Sequence, residues 1–190
     1  FWKSATIMAN LYEHHDVIRC VLGTVGEPGE RAFFLQIRSP QSLTTLALEK
    51  SQASALVERL QLLLKELRKR EGVVSQEVAP KDDSPLEDPI APDITAGNMA
   101  VMWLKDERKV QIEIQELQVN ELSGEIETLE IDTGSLDLAM VRFPLDLSQV
   151  KEFIRRSERV IDAGREPCLF CGLPINRDGH LCPRANGYRR

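Results

Sequence analysis

Two stretches with helical periodicity, each preceded by short apolar runs, set the strongest limit on what this chain can fold into. From about position 51 to 70, Leu56, Leu60, Leu63, Leu64 and Leu67 recur at the spacing of one helix face. Glu58, Arg59, Lys65, Glu66 and Arg68 fall on the other face, and Gly72 supplies a stop. From about 148 to 163, Val150, Phe153, Ile154, Val160 and Ile161 repeat the pattern, which closes at Gly164.

The runs before each helix are strand-like. Val17–Val25 and Arg31–Arg38 flank Gly26-Glu27-Pro28-Gly29, where proline fixes one central turn position and glycine gives positive φ at the next. Leu43–Leu48 makes a third strand. Further on, Met99–Leu104 and Lys109–Leu117 form a hairpin around Asp106-Glu107. There Val110, Ile112 and Ile114 alternate with Gln111, Glu113 and Gln115, giving one buried and one wet face. Ile126–Ile131 is expected as a short edge strand and Leu136–Phe143 as another strand.

The segment Leu46-Ala47-Leu48-Glu49-Lys50-Ser51-Gln52 aligns with Phe143-Pro144-Leu145-Asp146-Leu147-Ser148-Gln149 at an offset of 97. The expected fold is therefore α+β: a mainly antiparallel sheet from two pseudo-repeated strand-strand-strand-helix halves, both helices on its buried face, with a C-terminal zinc knuckle. The halves are residues 17–72 and 97–164; residues 1–16 are an N-terminal segment outside the fold argument, in which Met8 offers an alternative start. Residues 73–96, with Pro80, Pro85, Pro89 and Pro92 among Asp82, Asp83, Glu87, Asp88 and Asp93, read as an acidic linker with too little apolar surface to offset its ordering entropy.

The tail, residues 165–190, holds the one set of residues with a chemistry of its own. Cys168 and Cys171 stand in a C-x-x-C-G pair, in which two thiolates three residues apart reach one ion and the glycine relieves the turn. His180 and Cys182 follow, two apart, so that in extended chain both face the same side. Cys168, Cys171, His180 and Cys182 thus form a candidate Cys3His zinc site. Such a closed set suits a structural ion, and water in place of His180 is the open, catalytic alternative. Cys20 lies in an apolar strand and is expected to be an inert thiol.

No other catalytic arrangement is legible. Pro167-Cys168-x-x-Cys171 matches half of a nucleobase deaminase pattern, but no upstream H-x-E supplies the remaining ligand and proton shuttle. There is no G-x-S-x-G elbow, and Gly23, Gly26 and Gly29 match no phosphate-binding loop. No apolar run is long enough to span a bilayer. Three clustered cysteines and one distant one make a poor disulfide framework, so a cytoplasmic setting is expected.

The net charge of −6 is uneven. Residues 165–190 carry five arginines against Glu166 and Asp178, a balance of +3 that leaves −9 on residues 1–164. An acidic body disfavours nucleic acid and anionic membranes, leaving only weak phosphate contact through Arg184, Arg189 and Arg190.

The tail sequence Cys168-Leu169-Phe170-Cys171-Gly172-Leu173-Pro174, with Gly179-His180-Leu181-Cys182-Pro183-Arg184-Ala185-Asn186-Gly187-Tyr188-Arg189, resembles the closing signature of a mainly actinobacterial family known as domain of unknown function 3090. Gly23-Thr24-Val25-Gly26-Glu27-Pro28-Gly29-Glu30-Arg31, Phe33-Phe34-Leu35-Gln36 and Leu48-Glu49-Lys50 are similar to its N-terminal signature. The resemblance implies a soluble, intracellular bacterial protein and carries no biochemical activity to transfer. The residues therefore suggest a non-enzymatic protein-interaction or scaffold domain with an unidentified protein partner. A zinc-dependent enzyme and nucleic-acid contact through the tail are the alternatives.

Overall fold

The computed structural model describes residues 11–73, 78–117, 138–164, 168–172, 175 and 181–184. Among these residues, seven strands and two helices follow in chain order. They are β1 (Leu11–Glu13), β2 (Arg19–Val25), β3 (Ala32–Arg38), β4 (Leu43–Leu48), α1 (Lys50–Glu71), β5 (Ile94–Leu104), β6 (Lys109–Glu116), β7 (Met140–Asp146) and α2 (Leu147–Asp162). The class is α+β, as expected. The expected edge strand at Ile126–Ile131 lies outside the described residues.

All seven strands form one sheet in the order β1-β7-β6-β5-β4-β3-β2. Four pairings are antiparallel, but β1 lies parallel to β7 and β4 parallel to β5, so the sheet is mixed. The parallel joint between β4 and β5 follows from α1, a helical crossover that returns the chain in the same direction. The β2–β3 turn is built as its residues predict: Glu30 N–H donates to the Glu27 carbonyl at 3.0 Å, with Gly29 at φ 104° behind Pro28.

The sheet is rolled, and backbone bonds show by how much. His14 N–H donates to the Arg142 carbonyl on β7, while Ile18 N–H donates to the Arg38 carbonyl on β3, each at 2.9 Å. Four residues reach at most about 14 Å, whereas the six strand spacings between the sheet edges would span about 29 Å if flat. The edges must therefore curl toward each other. The His14 ring fastens this seam, with Nδ1 2.9 Å from Ser39 Oγ and Nε2 2.8 Å from Thr44 Oγ1.

Both helices pack on a single core. Leu35, Ile37, Leu46, Ile112, Ile114, Val141 and Phe143 from the strands meet Leu56 and Leu60 of α1 and Val150 and Phe153 of α2. The β6 alternation holds at Val110, Ile112 and Ile114, each fully buried, but Gln115 on the expected wet face is buried too. The helices start alike: Glu49 with Gln52, and Asp146 with Gln149, each form a capping box.

The acidic segment read as a linker is, over residues 78–93, a strap held against the outer face of β2 and β3. Arg19 donates to Asp82 through Nε at 2.5 Å and to the Ser84 and Pro85 carbonyls through Nη2 at 3.0 and 2.9 Å. Gln36 grips the Glu87 backbone from both sides, donating to its carbonyl at 2.9 Å and accepting from its N–H at 2.8 Å. Arg38 pairs with Glu87, and Arg155 and Arg159 both pair with Asp83. Leu86 lies over Gly23 so closely that a Cβ there would stand 2.6 Å from Leu86 Cγ. The expectation failed because it weighed apolar content alone. Charged and backbone hydrogen bonds to arginines outside the segment order it instead.

Candidate metal centre

The tail folds locally around Cys168. Gly172 N–H donates to the Cys168 carbonyl at 2.8 Å, closing a turn that needs φ 74° at Gly172, a conformation glycine adopts without a Cβ clash. The same turn aims Phe170 N–H at Cys168 Sγ at 3.4 Å. Hydrogen bonds from the backbone N–H groups of Cys171 and Phe170 hold the Cys168 thiol below its ordinary range, favouring the thiolate that binds metals.

Cys182 completes the cluster from the far side of the tail. The three sulfurs of Cys168, Cys171 and Cys182 lie within 4.8 Å of one another, and Cys168 Sγ to Cys182 Sγ is 3.8 Å. Tetrahedral zinc with bonds of about 2.3 Å separates its sulfurs by about 3.8 Å, so this spacing suits a shared ion. A disulfide would require about 2.05 Å, and all four cysteines of the chain are free thiols. Cys168 and Cys182 are buried and Cys171 is half-buried. This donor set can hold a thiophilic divalent ion at three positions.

His180, the expected fourth ligand, lies outside the described residues, as do Arg189 and Arg190. Arg184 is described, and its Nη1 donates to the Phe170 carbonyl at 3.2 Å, tying the two arms of the tail together. Around the sulfurs the apolar side chains turn outward: Leu169 is 97% exposed, Phe170 66% and Leu181 87%.

Cys20 sits in β2, half-buried against the core, and burial pushes its thiol far above the ordinary range. His14 was not expected to matter. It is 2% exposed, and burial, with the nearby His15, lowers its pKa, keeping the ring neutral between two hydroxyl groups. The arginines that bind the strap were also missed. Their only sequence signal was the run of acidic residues at 82–93 and the three arginines Arg155, Arg156 and Arg159 clustered on α2.

No helix among the described residues is long and apolar enough to cross a membrane. No curated protein and no solved structure matches the chain. One family does match, over residues 12–182, from the strand β1 to the last cysteine of the cluster. The chain belongs to the family described as protein of unknown function (DUF3090).

Proposed function

We propose that this protein is a non-enzymatic interaction module whose tail is folded by a structural zinc ion, with His180 joining Cys168, Cys171 and Cys182. One observation carries the reading: the three sulfurs converge while Leu169, Phe170 and Leu181 beside them face solvent. Isolated exposed leucines are ordinary, but three large apolar side chains next to the converging cysteines, on both arms of the tail, suit an apolar groove on a partner protein. A reducing cytoplasm, which keeps the thiols free for a metal, is the matching compartment. Arg184, already committed to the Phe170 carbonyl, gives little support to nucleic-acid binding.

The body would serve as a scaffold made by duplication of a strand-strand-strand-helix unit. Supporting this, the capping boxes of α1 and α2 are 97 positions apart. Gln61 Nε2 also donates to Glu158 Oε1 at 2.6 Å, and these positions again differ by 97. A residue that touches its own equivalent is what a local two-fold axis between the helices produces.

The test is chemical crosslinking in the native host, comparing the unaltered chain with a Leu169→Ser, Phe170→Ser, Leu181→Ser variant that retains its zinc. A specific protein crosslinked to the former and lost from the latter supports the reading. An identical crosslinking pattern in both would refute it. A turnover that depends on an exchangeable zinc-bound water would replace it with the enzyme alternative.

A further inference from the structure

Between α1 and α2 lies a cavity of about 310 Å³, lined by Gln61, Leu64, Lys65 and Arg68 of the first helix and by Lys151 and Ile154 of the second. The size stands at the lower end of the range of about 300–1,000 Å³ typical of small-molecule sites. Positions 61, 64, 65 and 68 follow the i, i+3, i+4, i+7 spacing of one helix stripe, and 151 and 154 are i, i+3 neighbours. The helical repeat therefore brings these side chains to one place. Ile154 is buried in the core and Leu64 packs against it half-buried, so the two give the cavity an apolar floor.

The polar part of the wall is of one sign. Lys65, Arg68 and Lys151 are three cations, and no carboxylate lines the cavity. Glu158, further along α2, accepts from Gln61 Nε2 at 2.6 Å but stands outside the lining. Cations brought together on adjoining helices repel unless a carboxylate lies between them. On its strap-facing side α2 obeys this rule: Arg155 pairs with Glu152 and Asp83, and Arg159 with Asp83. At the cavity the rule is broken. Lys65 and Arg68 are exposed, and neither has a hydrogen-bond or ion-pair partner among the described residues.

This cluster is also a local reversal of the charge around it, since residues 1–164 carry −9. A cleft lined by one sign of charge beside an apolar wall focuses its field and concentrates counter-ions. Two unpaired cations, with Lys151 beside them, match a dianion better than a single carboxylate. The floor of Leu64 and Ile154 leaves room for only a short apolar body.

We propose that the cavity between α1 and α2 binds a small organic dianion, a phosphate monoester or a dicarboxylate, held by Lys65, Arg68 and Lys151 with its carbon skeleton against Leu64 and Ile154. The site is built by the two helices alone and owes nothing to the cysteine cluster or its metal.

The experiment titrates the full chain, with isotope-labelled leucine and isoleucine methyl groups, at constant ionic strength and follows it by NMR. The probes are phenyl phosphate, glutarate and the neutral control benzyl alcohol. The Leu64 and Ile154 signals are assigned by their loss in Leu64→Met and Ile154→Val. Saturable movement of both signals with at least one dianion is expected, and benzyl alcohol should bind at least about tenfold more weakly. Lys65→Gln combined with Arg68→Gln should weaken the dianion by a similar factor. Lys69→Gln combined with Arg70→Gln removes the same charge from the same end of α1 outside the cavity, and should leave binding close to that of the unaltered chain. Tighter binding of phenyl phosphate assigns the ligand as a phosphate ester, and tighter binding of glutarate as a dicarboxylate. No saturation with either dianion, equal binding of benzyl alcohol, or equal losses in the two paired variants would each overturn the proposal.

Discussion

Replacing Asp82 by Asn tests whether the acidic segment is a pinned strap or a passive connector. The substitution keeps the side-chain shape and removes the charge shared by Arg19 and Arg156. The Asp82 side chain is 25% exposed, and those of Arg19 and Arg156 are 18% and 9% exposed. Exposed ion pairs contribute about 0–1 kcal/mol, and breaking a buried pair costs about 3–5 kcal/mol. A quarter-exposed carboxylate holding two guanidinium groups falls between, at about 2–3 kcal/mol. For a chain of this size that lowers the Tm by about 5–10 °C. Asp83→Asn is the control: its side chain is 49% exposed, and its midpoint should stay close to that of the unaltered protein. Urea denaturation gives the stabilities, and limited proteolysis reports whether cleavage rises first within residues 78–93. Equal effects of the two substitutions, or unchanged cleavage in Asp82→Asn, would refute the pinned strap. The sign with pH is fixed as well. The Arg19 guanidinium holds Asp82 below the ordinary carboxylate range, and Arg38 does the same for Glu87. Their stabilisation is present above that range and is lost as pH falls through it.

Three further predictions concern packing, the seam and the tail. Gly23→Ala drives a Cβ into Leu86 and should cost about 1–2 kcal/mol; adding Leu86→Ala should relieve it, and strictly additive effects in a double-mutant cycle would contradict the contact. Because His14 is buried with a lowered pKa, the unfolded chain takes up its proton first. Stability should therefore fall below about pH 6.5 by at most about 1.4 kcal/mol per pH unit, and His14→Gln should flatten that slope between pH 7.5 and 5.5. An unchanged slope would rule His14 out as the source. Cys171→Ser should abolish metal uptake and unfold the tail while the rolled sheet keeps its cooperative melt, because metal-binding energy here is local folding energy; calorimetry showing loss of the main transition would contradict this.

The elements with strong periodicity were legible in the sequence, and those fixed by distant contacts were not. The leucine stripe of α1, the alternation of β6 and the Pro28-Gly29 turn carry their conformations in neighbouring residues, and all three form, with Gln115 as the one residue of β6 buried on the face expected to be wet. β1 has three residues and gains its place only by lying parallel to β7, far along the chain, so no local signal could announce it. The strap was misread because its order resides in Arg19, Arg38 and Arg156, each of which looks like an ordinary surface residue on its own element. The rolling of the sheet was equally hidden, since it depends on how few residues join β1 to β2. At the candidate metal centre the short-range part was readable: C-x-x-C-G predicts its own turn, and the third cysteine does converge on it. Asp146 and Gln149 fall in the segment whose match at offset 97 was legible, but their reciprocal capping geometry appears only in three dimensions.

Zinc K-edge absorption spectroscopy on the full chain is the direct test of the structural zinc ion proposed for the converged sulfurs. The expected result is one zinc per chain, with three sulfur ligands at about 2.3 Å and one nitrogen at about 2.0–2.1 Å. An oxygen ligand in the nitrogen's place, or a chain that folds its tail without taking up metal, would contradict it.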